Sequence, residues 1–138
     1  LRTRRQRQMC IRDSTYKNER KLIYHTNVMM TIGAGASIIC LDSIDSLEER
    51  TLVKQKLTET NIVIEISENQ VKDFAGNIII LKSKDNVIKF IISETAYNSL
   101  SSIQINQISS IGDFVIGSIP NIEKYSGGSV RCMIAEIF

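Results

Sequence analysis

One local pattern, strand–strand–helix–strand, occurs twice in this chain and limits its fold more than any other feature. In the first occurrence, residues 28–32 read as a strand, Gly33-Ala34-Gly35 as a turn and residues 36–41 as the return strand. Ser46 and Glu49 have the spacing of a capping box. Leu47, Val53 and Leu57 mark an amphipathic helix to about Thr58, and residues 62–66 form a strand. In the second, Ser67 and Gln70 cap a short helix to Phe74, and Ala75-Gly76 ends it. Residues 77–81 and 87–92 are strands joined by a turn at Lys84-Asp85-Asn86. Residues 94–111 are helical in one or two pieces, with Leu100, Ile103, Ile108 and Ile111 on one face, and residues 114–116 form a strand. A loop over 117–128 then contains the only proline, Pro120, and a final strand starts near Val130.

The two units, roughly 26–66 and 75–118, place Asn27, Asn77 and Cys132 at equivalent points, 50 and 55 residues apart. A period this long signals stacked supersecondary units. Each such unit exposes one apolar face and needs neighbours to cover it. About two and a half units look like part of something larger, and their uncovered edges invite self-association, a homo-oligomer included. If the units surround an axis, the polar groups that precede equivalent strands collect in one pocket.

The first fourteen residues are read apart from the rest. Met9-Cys10-Ile11-Arg12-Asp13-Ser14 resembles the translation of a sequencing-library adapter, so residues 1–14 are expected to lack structure and 15–138 to form the domain. Five arginines lie in that segment, Arg2, Arg4, Arg5, Arg7 and Arg12. Without it, Lys+Arg falls from 17 to 12, Asp+Glu from 15 to 14, and net charge moves from +2 to −2. No nucleic-acid partner is therefore drawn from the basic balance. No apolar run reaches the roughly 18 residues of a membrane span. Cys40 and Cys132 form no disulfide framework, which makes a reducing cytoplasm the default. With His25 the one histidine, a dedicated zinc site is not expected.

The chemistry is placed at the C-terminal end. Gly127-Gly128 allow a tight turn or a close approach to a ligand, and Cys132 follows at the head of an apolar run, at a loop-to-strand junction. A small buried hydrophobe is the competing reading of such a cysteine.

Taken together, Tyr24-His25-Thr26-Asn27-Val28-Met29-Met30, Phe74-Ala75-Gly76-Asn77 and Gly127-Gly128-Ser129-Val130-Arg131-Cys132-Met133 resemble the guanidine-modifying superfamily of arginine deiminases and amidinotransferases. The nearest branch is the citrulline-utilization hydrolases. The resemblance implies an α/β fold, a five-bladed α/β propeller (pentein), of which this chain would be the C-terminal two blades and one further strand. It implies Cys132 as nucleophile on a ureido or guanidino carbon and His25 as general acid and base. Asn27, Asn77, Gly127, Gly128 and Arg131 become candidate substrate contacts. The implied partner is a small ureido or guanidino amino acid, with no metal and no cofactor. Deiminases of the superfamily commonly carry His-x-Asp, whereas Asn27 stands at the third position here. An amide suits a neutral ureido group better than a carboxylate does. A transferase, a papain-like hydrolase and a non-catalytic fragment or binding module are the competing functions, the last because the resemblance places further acidic site residues on N-terminal blades that this chain would lack. The papain-like order is disfavoured because the histidine precedes the cysteine.

Overall fold

The computed structural model describes residues 12–16 and 19–135, those before 23 by their backbone alone. Residues 1–11, most of the adapter-like segment, and residues 136–138 lie outside this set. Arg12, Asp13 and Ser14 begin strand β1 (Arg12–Tyr16), which pairs antiparallel with β2 (Glu19–Leu22).

A hairpin of β3 (Met30–Gly33) and β4 (Ala36–Ile39) follows. Its two turn residues, Ala34 and Gly35, both have positive φ, 44° and 81°. That is the geometry of a two-residue hairpin turn whose twist matches its strands. Helix α1 (Leu47–Thr58) crosses over and delivers β5 (Ile62–Glu65) parallel to β4. Every residue of β4, the middle strand, is buried. After the short helix α2 (Glu68–Lys72), β6 (Ile79–Lys82) and β7 (Ile88–Ser93) form a second antiparallel hairpin. Helices α3 (Glu94–Ser99) and α4 (Ser102–Ser109) then return the chain to β8 (Asp113–Gly117), parallel to β7. The two three-stranded sheets therefore share one topology, a hairpin with a third strand parallel to its second member. This agrees with the repeat and with part of a pentein fold; no closed propeller is present among the described residues. Met29, Ile38, Ile64, Ile78, Phe90 and Ile108 fill one core to which both units contribute.

Two capping boxes lock the units together. Ser67 with Gln70 opens α2, and Ser101 with Gln104 opens α4. Each glutamine accepts from the backbone N–H of its own cap serine. Each also donates to the other's side-chain oxygen, at 2.7 and 3.1 Å. Gln70 Nε2 also donates to the Ser99 carbonyl, and Gln104 Nε2 to the Glu65 carbonyl. The carbonyl stands two residues before the partner's cap in both cases, so the lock is a local twofold.

Several expectations need correction. Residues 26–28 form a 3₁₀ turn, and the strand begins at Met30 rather than at 28. The 117–128 loop holds helix α5 (Pro120–Ser126), started by Pro120, whose fixed φ suits the first helical turn. The final strand is instead a short helix, α6 (Val130–Met133). An apolar run of that length fits either state, and the Cys132 N–H bonds to the Ser129 carbonyl instead of pairing with a strand. Leu47 and Ile103 point outward, 73% and 72% exposed, and Val53, Leu57 and Ile105 make the inward contacts. The break at Leu100 rephases the 94–111 helix, which moves Ile103 off the inner face.

Candidate active site

The site begins with a close approach between two backbones. A Cβ on Gly76 would stand 2.4 Å from the Val28 carbonyl oxygen, so only glycine lets the segment after α2 lie against residues 28–29. The approach sets the buried Asn77 beside the 3₁₀ turn that carries Asn27. Asn77 Nδ2 donates to the Asn27 carbonyl at 3.1 Å, and its Oδ1 accepts from the Ser129 N–H at 3.2 Å. A pure acceptor on one side and a pure donor on the other fix which way the amide points.

That orientation aims the amide nitrogen at sulfur. Asn77 Nδ2 lies 3.3 Å from Cys132 Sγ and Asn77 Oδ1 lies 3.6 Å away. The nitrogen can donate to a thiolate, and the oxygen can accept from a thiol. Asn27 Nδ2 reaches the same sulfur more loosely, at 3.9 Å. Cys132 is exposed, and a Cβ on Gly128 would meet its Sγ at 3.0 Å. The glycine thus leaves one side of the sulfur free of side chain. Cys40, by contrast, is fully buried, and burial pushes its thiol above the ordinary cysteine range.

A cleft of about 400 Å³ opens over Cys132. His25, Asn27, Asn77, Gly127 and Gly128 all line it. His25 Nδ1 accepts from the Asn27 N–H at 3.4 Å, which leaves Nε2 to carry the ring proton in the neutral form. Of the anticipated site residues, Arg131 alone stands elsewhere. Its guanidinium donates to the Met30 carbonyl at 3.0 Å, and it lines a neighbouring cleft of about 320 Å³. Residues of a helical turn fan out in different directions, so the neighbour of Cys132 cannot share its outlook.

The cleft also contains residues that spacing did not reveal. Tyr24, Phe74 and Lys72 line it. Phe74 has φ +64°, a left-handed conformation usually left to glycine. Its N–H bonds to the Val71 carbonyl and the Ala75 N–H to the Gln70 carbonyl, which is a Schellman ending for α2. The strain keeps an aromatic ring at the cleft wall where glycine would relieve the backbone. Beneath the cleft, Ser129 and Glu123 are buried, and the Ser129 hydroxyl donates to Glu123 Oε1 at 2.6 Å. The sequence reading of 117–128 as a loop carried no signal for that pair.

Among the described residues, no group of three or more His, Cys, Asp and Glu side chains is placed to hold a metal ion. Nor is any helix among them long and apolar enough to cross a membrane. A family profile described as N,N dimethylarginine dimethylhydrolase, eukaryotic, matches residues 8–138. No curated protein matches the chain.

Proposed function

The chain belongs to the N,N-dimethylarginine dimethylhydrolase family, within the guanidine-modifying superfamily, and from that premise we propose that it acts on a ureido amino acid through the Cys132 thiol. The observation that carries the proposal is the Asn77 amide, held by Asn27 and Ser129 with its nitrogen 3.3 Å from Cys132 Sγ. A thiolate is the nucleophilic form of cysteine, and a hydrogen bond donated to it favours that form. The sulfur adds to the ureido carbon, and the C–N bond breaks. The leaving amine takes a proton from His25, and a thiocarbamate remains on Cys132. Water then gives a proton to His25 and attacks the same carbon. The thiolate leaves, and the resulting carbamate breaks down to carbon dioxide and amine. A histidine titrates near enough to neutrality to move the proton both ways.

The family description names a methylated guanidine, and the motifs resemble the citrulline branch. The matching family supports the superfamily and not the citrulline-utilization branch, so the preference for a ureido group rests on the cleft alone. The lining of the cleft favours the neutral group. Among the described residues, Lys72 is the charged side chain lining the cleft, and no carboxylate lines it. The Lys72 ammonium repels a guanidinium and does not repel a neutral ureido group. The Asn27 side-chain amide offers a donor and an acceptor to a ureido group instead.

Protection of Cys132 from iodoacetamide, followed by peptide mass spectrometry, tests this. L-citrulline should slow labelling in a saturable way, more than L-arginine or N,N-dimethyl-L-arginine does. Equal protection by all three defeats the preference for a neutral group. No protection by any of them removes the assignment of the cleft.

A further inference from the structure

Glu123 is the one buried acidic side chain among the described residues, and it is the buried residue of α5. A short amphipathic helix ordinarily turns an apolar residue inward there. Burying a carboxylate costs free energy unless hydrogen bonds repay it. The partner here is the Ser129 hydroxyl, itself fully buried, at 2.6 Å.

Ser129 connects three groups. Its hydroxyl donates to Glu123, its N–H donates to Asn77 Oδ1 at 3.2 Å, and its carbonyl accepts from the Cys132 N–H at 3.0 Å. Between Glu123 and Ser129 lie Gly127 and Gly128, a pair with more backbone freedom than any other residues would have. The side-chain bond therefore closes a loop across a separation of six residues that would otherwise be held loosely.

We propose that Glu123 is a positioning residue for the Cys132 thiol: through the Ser129 hydroxyl it fixes the 127–129 segment, and with it the Asn77 amide that donates to the sulfur. The proposal rests on Cys132 being the reacting group, as proposed above. It assigns Glu123 no contact with substrate. Its role is that of a hydrogen-bond acceptor, so glutamine should serve in its place.

The test is the rate at which iodoacetamide labels Cys132 across a pH series, in the unliganded full chain and its variants. Losing one hydrogen bond of this kind is worth about a factor of ten. Glu123→Ala and Ser129→Ala should each slow labelling by about ten-fold and displace its pH dependence. Glu123→Gln should stay within about three-fold of the parent. The double variant should be no slower than either single one, because both remove the same link. Parent rates and parent pH dependence in both alanine variants overturn the proposal. So does a Glu123→Gln variant as slow as Glu123→Ala, because charge would then be the active property. If Glu123→Ala does not fold, Ser129→Ala removes the same bond by deleting a single oxygen. Failure of ligand protection with these effects intact strikes only the ureido assignment, and the reverse result strikes only Glu123.

Discussion

Asn77→Asp is the substitution that asks most of the site. It keeps size and shape. One carboxylate oxygen can still accept from the Ser129 N–H. The other replaces Nδ2, and so stands 3.3 Å from Cys132 Sγ and 3.1 Å from the Asn27 carbonyl oxygen. A donor to sulfur becomes an acceptor carrying a charge. Two unit charges at that separation repel by about 1.3 kcal/mol in water and by about 5 kcal/mol at the effective dielectric of a protein surface. Cys132 is exposed, so the lower half of that range applies. Each 1.4 kcal/mol is a factor of ten, so thiolate at neutral pH should fall by at least roughly ten-fold. The assay is the iodoacetamide rate at Cys132 against pH, with folding checked by circular dichroism. The curve for the aspartate variant should lie at higher pH than the parent curve. At low pH the two groups share protons and titrate as a pair, so the comparison belongs at neutral pH and above. Equal rates for parent and variant at neutral pH would show that the amide nitrogen contributes nothing to the thiol, and the central claim about the site would fall.

In a complete enzyme carrying this segment, Cys132→Ser should abolish turnover, and His25→Ala should lower it by a factor of about 10² to 10⁴, the usual worth of a positioned acid–base group; steady-state kinetics on citrulline measures both. Asn27→Asp should shift preference from a ureido towards a guanidinium ligand, read as the ratio of protection by citrulline and arginine. Phe74→Gly should be more stable than Phe74→Ala by about 1 kcal/mol, reversing the usual order, because of the +64° φ at that position; urea unfolding decides it. Gln104→Glu places a carboxylate oxygen against the Glu65 carbonyl and the Gln70 side-chain oxygen, which raises its folded pKa above the unfolded value of about 4.3. The variant should therefore be most stable below that pH and lose stability as pH rises through the folded value, and a flat difference from the parent across pH would refute it.

The repeated unit was legible in the sequence because it depends on local signals. Apolar runs rich in β-branched residues marked the strands, Gly33-Ala34-Gly35 marked the hairpin turn, and Ser67-x-x-Gln70 marked a helix start, all readable within a few residues. The motifs around His25, Asn77 and Cys132 also carried the superfamily. The state of the C-terminal run was not legible. Val130-Arg131-Cys132-Met133 is too short for its period to separate helix from strand, and contacts from the Ser129 carbonyl and, through Arg131, the Met30 carbonyl accompany the helical turn. The direction of Arg131 followed from that turn and so was lost with it. The mutual lock of Gln70 and Gln104 was invisible for another reason, since each capping box is local but their contact spans 34 residues. Glu123 is the sharpest case. Its sequence neighbours make it an ordinary surface glutamate of a short helix. Tertiary packing buries it, and burial makes its hydrogen bond to the Ser129 hydroxyl count. Sequence by itself determined which segments would pair and which residue types could do the chemistry. The tertiary structure decided which of those residues meet, because meeting depends on close approaches such as Gly76 against Val28 that no local pattern encodes.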